Sequence, residues 1–387
     1  MTIRSRWAAN AVLHAGFVVA GVVTVLLGPM LPLLIARWSM SDERAGLFFS
    51  FQFGGNLGGI ATLGTLLSRR GYSAVFLVGF TCIAVGVAGL GSGSAAIGSL
   101  GTVAFGYGLG LVLSGTNLWV AEDAGSRRAS AISVVNVAWG VGAIACPLLV
   151  LLAQRAHRLS LLLFGIAGLS ATAAVVLATM NVEPRLARSA GEMPPGDKDS
   201  VPAKTAFALG ALFLLYVGIE NSVGGWAAAL VKREGALPAA SWEFAPMFFW
   251  AGLMIGRAAA PIVFSRVNEK KIMISGLLFS GMCIAALTRV TSLPVAAVDL
   301  SGAGLGLACL FPLLVAWMVE RYGKRVRRTG NVPFALASIG GATMPWLVGF
   351  VSTQSGSLRA GIAVPAAGCL VMVGLQALLH SPATARG

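Results

Sequence analysis

Glu220 is the most unusual ionisable side chain in the sequence, because it lies deep inside a long apolar run. The run begins near Lys204, and 16 helical residues at about 1.5 Å each carry Glu220 roughly 24 Å inward. Charge inside a bilayer costs at least about 2.5–3.5 kcal/mol, so Glu220 is a functional candidate that could hydrogen-bond ligand hydroxyl groups together with Asn221. Gly224 and Gly225 favour a broken or bendable helix, and unwound backbone at a break would line a cavity. In the alternative interpretation, Glu220 caps that break or bonds a neighbouring helix.

Amide and tryptophan side chains supply the rest of a candidate binding site. Gln52 and Asn56, four residues apart, share one face of a predicted helix, and Asn136 lies three residues before Trp139 on another. Amides suit a hydroxyl-rich ligand because they offer donors and an acceptor without a net charge to desolvate. The flat rings that could stack on such a ligand, or simply pack in the protein or at the membrane interface, are those of Trp139, Trp250 and Trp346. Trp226, close to Asn221 in the sequence, is expected near the outer gate of the binding site.

Asp299 and several arginines complete the charged candidates. Asp299 could carry a proton or another cation, and could equally be a solvated residue just below the membrane surface. Arg257 lies within snorkelling reach of the surface, which favours a structural role beside the adjacent loop. The arginines expected in the gate or loop motif with it are Arg69, Arg70 and Arg266. The charges expected to latch the cytoplasmic gate through ion pairs are Glu122, Asp123, Arg127, Arg128, Glu320 and Arg321.

The composition argues against several classes of function. A water-soluble fold could not bury a sequence that is 57% hydrophobic and only 11% charged. The net charge of +14 does not indicate a nucleic-acid partner, because the basic residues are scattered between apolar runs. The five cysteines lie inside apolar segments without a CxxC motif, which favours inert thiols. No nucleophile–base pair, metal-ligand cluster or phosphate-binding motif stands out, so we expect neither an enzyme nor a cofactor.

Apolar segments of about 20 residues, the length that spans a bilayer, recur between short polar breaks. The first of them lacks a signal-peptide cleavage site and should remain as a helix. The pattern predicts an all-α membrane protein of about twelve transmembrane helices in two six-helix pseudo-symmetric bundles. The predicted helices are 8–36, 43–67, 73–91, 97–120, 130–154, 159–180, 204–231, 242–264, 271–289, 293–319, 331–353 and 358–380. The bundles are 1–180 and 204–387, joined by a Pro- and charge-rich cytoplasmic linker, 181–203.

The distribution of Lys and Arg predicts the orientation in the membrane. With the N-terminus inside, 19 of the 28 basic residues fall on the cytoplasmic side, 8 fall on the other, and Arg257 lies within a helix. Cytoplasmic loops carry an excess of Lys and Arg, so both termini should be cytoplasmic. We expect a monomer in a bacterial inner membrane.

The two halves of the sequence repeat. At an offset of 197, the residues Phe51, Gly55, Gly59, Ser68, Arg69 and Gly79 align with Phe248, Gly252, Gly256, Ser265, Arg266 and Gly276. At an offset of 196, the glycine-rich stretch 106–111 aligns with 302–307. Repeats of this size are typical of transporters whose two bundles rock around a central site.

The loop Gly64-Thr-Leu-Leu-Ser-Arg-Arg-Gly-Tyr72 resembles the loop signature of the major facilitator superfamily, with Ser68 in place of its acidic residue. A narrower resemblance, to the fucose:proton symporter branch and its sodium-glucose relatives, is carried by the stretches 216–226, 249–257, 304–312 and 139–147. These resemblances imply a twelve-helix transporter for a sugar-like substrate.

The expected function is therefore secondary transport of a hexose-like sugar by alternating access, coupled to H⁺ or Na⁺. Glu220 and Asp299 are the coupling candidates, and a uniporter that needs neither stays open. The rival hypothesis is an efflux carrier for drugs or metabolites, which the same fold serves. Helices 1 to 6 contain no acidic residue at mid-depth, which argues against proton-driven efflux of cations.

Overall fold

A computed structural model describes residues 3–124, 128–180, 182, 202–234, 242–322 and 331–380, and the regular elements in these ranges are helical. The α-helices are α1 (Ile3–Val25), α2 (Leu27–Trp38), α3 (Asp42–Leu90), α4 (Ala95–Ala124), α5 (Arg128–Arg155), α6 (Leu159–Thr179), α7 (Ala203–Glu234), α8 (Ala245–Phe264), α9 (Glu269–Leu287), α10 (Leu293–Ala308), α11 (Leu310–Tyr322), α12 (Asn331–Ser355) and α13 (Leu358–His380). A 3-10 turn, Trp242–Phe244, precedes α8.

The described helices account for the twelve predicted spans. Ten candidate spans are long and apolar enough to cross a bilayer, where α10 and α11 together count as one span. The consecutive helices α1 and α2, bent by 45° relative to each other, form an eleventh. The 49-residue α3 counts once in that total but is long enough for two spans. Gly71 divides it with φ 73° and ψ −178°, a conformation that is essentially restricted to glycine. Dividing α3 there gives the twelfth span, as the loop at 64–72 predicted.

Breaks inside spans occur at positions that the sequence did not single out. One lies at Leu26, between α1 and α2, and another at Cys309, between α10 and α11. The predicted break in the seventh span was wrong, because α7 runs without interruption from Ala203 to Glu234. Gly224 instead makes room for a neighbour: a Cβ at this position would lie 2.9 Å from the indole of Trp250.

The helices form two compact units. As far as the residues are described, the first contains Met1–Ser39 with Phe48–Glu192 and the second contains Met40–Leu47 with Met193–Gly387. Most of the predicted linker, 181–203, lies outside the described residues, so the boundary between the two domains stays a prediction.

The start of α3 packs in the second unit. Arg233 donates two hydrogen bonds to the carboxylate of Asp42, at 2.5 and 2.6 Å. Ser352 donates a third at 2.5 Å, and the backbone N–H of Glu43 donates to Thr353 at 2.9 Å. A bidentate arginine–carboxylate contact is among the stronger ion-pair geometries. These contacts therefore secure the first turn of α3 within the second unit.

Glycines allow the helices of the first unit to cross closely. A Cβ at Gly55 of α3 would overlap the carbonyl oxygen of Val103 in α4. A Cβ at Gly106 of α4 would overlap the carbonyl oxygen of Gln52 in α3. Small residues are the usual means by which membrane helices approach one another, because apolar burial does not drive helix association in lipid. The glycine-rich stretches are therefore explained by packing.

The second unit repeats this crossing between α8 and α10. Gly252 faces the carbonyl oxygen of Ser301, and Gly304 faces that of Phe249, each so closely that a Cβ would overlap the oxygen. Gly252 lies 197 residues after Gly55, as the sequence alignment predicted. The equivalent of Gly106, however, is Gly304 at an offset of 198, and the predicted match at 196 was wrong by two residues. In a Gly-x-Gly-x-Gly pattern, a shift of two residues still superimposes glycine on glycine.

Candidate functional site

The second unit contains a buried ion pair between two of its helices. Tyr216 and Glu220 are one turn apart on α7 and therefore share a face. Arg257 on α8 donates to the Oε1 atom of Glu220 at 3.1 Å and to the hydroxyl oxygen of Tyr216 at 3.2 Å. The Tyr216 hydroxyl in turn donates to the same Oε1 atom at 3.3 Å. Glu220 is 8% exposed, so its charge is compensated by Arg257 and Tyr216 rather than by solvent.

These contacts contradict the role expected for Arg257 and agree with one of the alternatives given for Glu220. Arg257 was predicted to support the adjacent loop, but its hydrogen bonds go to Glu220 and Tyr216. The alternative in which Glu220 bonds a neighbouring helix is confirmed, because Glu220 accepts from Arg257 of α8. The cap of a break was wrong, since α7 is continuous at Glu220, and a contact with ligand hydroxyl groups stays a prediction. The sequence contained a usable signal, since an Arg and a Glu inside neighbouring apolar segments are expected to pair.

Arg257 lies on the face of α8 that points away from lipid. Trp250 and Leu253 precede Arg257 by seven and four residues on α8, so all three share a face, and both apolar residues are buried. On the opposite face, Ile255 and Ile262 are 63% and 59% exposed, as expected of side chains that contact lipid. The Arg257 side chain retains 28% exposure. Arg257 therefore lies on the buried face of α8, and its side chain is not completely enclosed.

An aromatic cluster borders the ion pair. The ring of Phe311, two residues beyond the break at Cys309, lies 5.5 Å from that of Tyr216 and 5.8 Å from that of Phe213. Phe334 of α12 completes the cluster at 5.4 Å from Phe213. Apolar rings exclude water, and a lower local dielectric strengthens the attraction between Glu220 and its arginine.

Asn221 occupies a different face of α7 from Glu220. Successive helical residues point about 100° apart, so adjacent side chains cannot share one contact. Asn221 lies in line with Leu214 and Val217, and all three are partly exposed. Its amide donates to the carbonyl oxygen of Val217 at 2.9 Å. Asn221 thus lies on the partly exposed stripe of α7 that Leu214 and Val217 also occupy, whereas Glu220 faces α8.

The three tryptophans predicted in the second unit differ in exposure. Trp226 is completely buried, and its indole N–H donates to the carbonyl oxygen of Pro345 at 2.9 Å. Trp250 is also buried, with its ring centroid 5.2 Å from that of Phe249. Trp346 is only half-buried and lies 5.6 Å from the ring of Phe350. In this conformation Trp346 offers the most accessible of the three ring faces.

Thr24 organises a polar cluster in the first unit. It lies two residues before the break at Leu26, where backbone carbonyl groups lose their helical partners. Gln52 of α3 donates to the carbonyl oxygen of Thr24 at 2.9 Å, and Trp139 of α5 donates to its hydroxyl oxygen at 3.3 Å. Gln52 and Trp139, predicted separately, therefore meet at a residue that the sequence did not indicate. Pro29 and Pro32, which follow this break by three and six residues, were the available signal.

Gln52 has an acceptor atom that its own unit leaves unused. Its side chain is 2% exposed, and its Oε1 atom has no hydrogen-bond partner in the described part of the chain. Buried polar atoms are nearly always hydrogen-bonded, and an unused one is costly. A water molecule or a ligand hydroxyl group is suited to donate to this oxygen.

The remaining amide candidates lie between helices or in solvent-accessible positions. Asn136 is exposed and donates to the carbonyl oxygen of Ile132 at 2.8 Å and to the amide oxygen of Asn117 at 3.3 Å. Asn117 and Asn136 thus join α4 to α5 through a hydrogen bond between their side chains. Asn56 is half-buried, and its carbonyl oxygen faces Gly110.

The charged candidates outside the buried pair lie near helix ends. Asp299 is partly exposed in the second turn of α10. The loop arginines Arg69, Arg70 and Arg266 are exposed. The side chains of Arg127 and Arg128 lie outside the described residues, so their part of the predicted latch stays a prediction.

Glu320 and Arg321, the other charged residues of the predicted cytoplasmic latch, form contacts within the second unit. Arg321 lies 3.5 Å from Glu320 and stacks over Trp317 at 5.5 Å, while Trp317 donates to Glu269 at 2.6 Å.

The bidentate ion pair between Asp42 and Arg233, described above, was not predicted from the sequence. The two charges are 191 residues apart in the sequence, so no local pattern joins them.

Comparison with known proteins extends over nearly the whole chain. The glucose/mannose transporter GlcP of Bacillus subtilis (strain 168) is 23% identical over 364 residues, which cover 88% of this chain and 87% of that protein. The crystal structure of a D-xylose-proton symporter is similar with a TM-score of 0.79 at 15% identity, covering 98% of this chain and 97% of that chain. The nucleoside transporter NupG is similar with a TM-score of 0.75 at 15% identity, covering 98% of this chain and 100% of that chain.

At these identities the structural similarity establishes the fold alone. The family itself is established by sequence, because the profile described as Major Facilitator Superfamily matches residues 13–332, well over half of the chain. The chain therefore belongs to the Major Facilitator Superfamily and is an integral membrane transporter rather than an enzyme.

Proposed function

We propose that this protein transports a hexose-like sugar by alternating access and couples that movement to a cation. The observation that carries the proposal is the similarity to a glucose/mannose transporter along 88% of the chain. The similarity in fold to a D-xylose-proton symporter agrees with it. We further propose that the protein acts as a monomer in a bacterial inner membrane with both termini in the cytoplasm.

The amide and indole side chains proposed for the site support a neutral, hydroxyl-rich substrate. In the first unit, Gln52 has an unused acceptor and Trp139 lies beside it at Thr24. In the second unit, Asn221 and Trp346 offer an amide and a partly exposed ring. Hydroxyl groups match amides because both donate and accept hydrogen bonds. We assign Gln52, Trp139, Asn221 and Trp346 as the principal sugar ligands, with Asn56 and Asn136 as lesser candidates.

Sugar counterflow in proteoliposomes tests this function without requiring any ion gradient. Vesicles loaded with unlabelled glucose or mannose are diluted into a trace of the labelled sugar, and we expect a transient accumulation of label. Absence of counterflow with every hexose tested, combined with counterflow of an amphipathic drug, would replace the sugar proposal with the efflux function.

Two substitutions test the proposed ligands. Gln52→Leu and Asn221→Ala should each raise the half-saturation concentration for the sugar about three- to tenfold, because one neutral hydrogen bond contributes about 0.5–1.5 kcal/mol. Gln354→Ala is the matched control, since this amide is exposed near the end of α12. Unchanged half-saturation in a folded Gln52→Leu or Asn221→Ala variant would remove that residue from the site.

A further inference from the structure

The break at Leu26 deprives backbone carbonyl groups of their usual helical donors. In a continuous helix the carbonyl of Val25 would accept from the N–H of residue 29, but Pro29 has no N–H. The carbonyl of Val22 would accept from Leu26, whose N–H donates instead to the carbonyl of Val23 at 3.4 Å. The bend of 45° between α1 and α2 lies at the same point. Carbonyl oxygens at the C-terminal end of α1 are therefore suited to bind something other than backbone N–H groups.

Side chains add further oxygen atoms beside this break. The carbonyl of Thr24 can only accept a hydrogen bond, so the atom of Gln52 that lies 2.9 Å from it is the amide nitrogen. The other end of that amide is the Oε1 atom, which is buried and has no hydrogen-bond partner in the described part of the chain. The Thr24 hydroxyl donates to the carbonyl of Ala20 at 2.7 Å and accepts from Trp139 at 3.3 Å, which leaves it one lone pair.

These atoms form what we call the oxygen cluster: the carbonyls of Val22 and Val25, the hydroxyl of Thr24 and the Oε1 atom of Gln52. In transporters, carbonyls of interrupted helices and the C-terminal ends of half-helices coordinate Na⁺ or H⁺. The end of α1 adds a partial negative charge of about half an elementary charge. The nearest basic residue in the sequence is Arg44, eight positions before Gln52, or about 12 Å along the helix. The cluster is therefore favourable for a cation.

The chemistry of the oxygen cluster also selects the kind of cation. None of its side chains titrates, so it cannot hold a proton as a carboxylate does. It contains no carboxylate, and neutral oxygens alone compensate a double charge poorly, so a divalent ion is disfavoured. A monovalent hard cation matches neutral oxygen ligands, and Na⁺ is the one that such broken helices coordinate.

We propose that the oxygen cluster binds the Na⁺ ion that is transported together with the sugar. The amide oxygen of Gln52 has two lone pairs, so one can contact Na⁺ while the other accepts from a sugar hydroxyl group. The ion fixes the orientation of this amide, and each ligand therefore strengthens the binding of the other, by thermodynamic necessity to the same extent. This inference rests on the proposed sugar transport and names its coupling cation and the site that holds it.

Sugar counterflow with different cations identifies the ion. Proteoliposomes contain Na⁺, K⁺ or choline at equal concentration and equal pH on both sides. We expect Na⁺ to lower the half-saturation concentration for glucose at least about fivefold relative to choline, and K⁺ to resemble choline. Counterflow that Na⁺ improves no more than K⁺ does would overturn the Na⁺ site. A wild type without hexose counterflow in any of the three would instead overturn the proposed function, so the two failures are distinguishable.

Pro29→Ala tests the backbone part of the oxygen cluster. The new N–H can bond the Val25 carbonyl, and neither Gln52 nor Trp139 is altered. We expect counterflow in choline within about twofold of the wild type, and accumulation driven by a Na⁺ gradient at least about tenfold lower. Pro32→Ala is the matched control, because the carbonyl that its N–H would serve, that of Gly28, lies in α2 and outside the cluster. A full Na⁺ response in folded Pro29→Ala would overturn the assignment.

Thr24→Val tests the side-chain part and does not depend on the folding of Pro29→Ala. Valine has nearly the same shape, and the backbone carbonyl that holds Gln52 remains. The Na⁺ concentration for half-maximal stimulation should rise about three- to tenfold. Thr172→Val is the matched control, because Thr172 is exposed on α6 and its hydroxyl also donates to the carbonyl four residues earlier, at 2.9 Å. An unchanged Na⁺ response in folded Thr24→Val would likewise overturn the proposed cluster.

Discussion

At the scale of single residues, the partner of each polar group decides its role. Glu220 and Asn221 are neighbours in the sequence and were expected to act on the same ligand. Helical geometry separates them: Glu220 faces Arg257, and Asn221 lies on the partly exposed stripe of α7. Trp226 and Trp346 separate in the same way, because only the first is completely buried. The residue types are visible in the sequence, whereas the structure shows which partner each of these side chains contacts.

Gly71 provides a residue-scale prediction of stability. Its φ of 73° and ψ of −178° lie in a region that other residues hardly populate. Gly71→Ala should therefore lower the free energy of unfolding by about 1–3 kcal/mol, measured by thermal or denaturant unfolding in detergent. Gly64→Ala is the matched control in the same segment, because Gly64 is helical and a Cβ added there would have no atoms within 4 Å. Equal stabilities of the two variants would contradict the expectation.

At the scale of helices, close crossings explain the glycine content better than breaks do. The glycine pair of α7 predicted a break, but Gly224 accommodates the indole of Trp250 in a continuous helix. The observed breaks lie at Leu26 and Cys309. The break at Leu26 places Thr24 where Gln52 and Trp139 can reach it. Glycine in a membrane helix therefore indicates a close neighbour as readily as a bend.

Adjacent glycines of α3 allow a direct test of the crossing with α4. A Cβ at Gly55 would overlap the carbonyl oxygen of Val103, whereas one at Gly54 would have nothing within 4 Å. Gly55→Ala should destabilise the protein by about 1–3 kcal/mol, because a backbone atom cannot yield as a side chain can. Gly54→Ala should be neutral or slightly stabilising, since alanine favours helix more than glycine. Thermal unfolding in detergent compares the two, and a less stable Gly54→Ala would reverse the assignment.

At the scale of the whole molecule, the transporter consists of two units of six spans that repeat the same glycine crossing. Gly55 and Gly106 in the first unit have Gly252 and Gly304 as their counterparts in the second. The sequence predicted the duplication and most helix positions within a few residues. It misplaced the glycine-rich repeat by two positions, because only backbone packing distinguishes one glycine of an alternating pattern from the next.

The orientation of the whole chain is a prediction that reporter fusions can check. With 19 basic residues on the predicted cytoplasmic side and 8 on the other, the C-terminus should be inside. A fluorescent protein fused after Gly387 should fluoresce, and alkaline phosphatase fused there should be inactive. Fusion after Arg158, in the loop between α5 and α6, should give the opposite pair of results. The same signals at both sites would contradict the predicted topology.

The sequence by itself determined the transmembrane spans, the repeat of two six-helix halves and the position of Glu220 as an ionisable residue inside an apolar segment. These features depend on local hydropathy and on residue type, which a single chain displays directly. Only the tertiary structure decided that Arg257 pairs with Glu220, that Thr24 joins Gln52 to Trp139, and that Asp42 bonds Arg233. Each of these contacts joins residues at least 28 positions apart in the sequence, so it depends on how the helices pack rather than on local sequence.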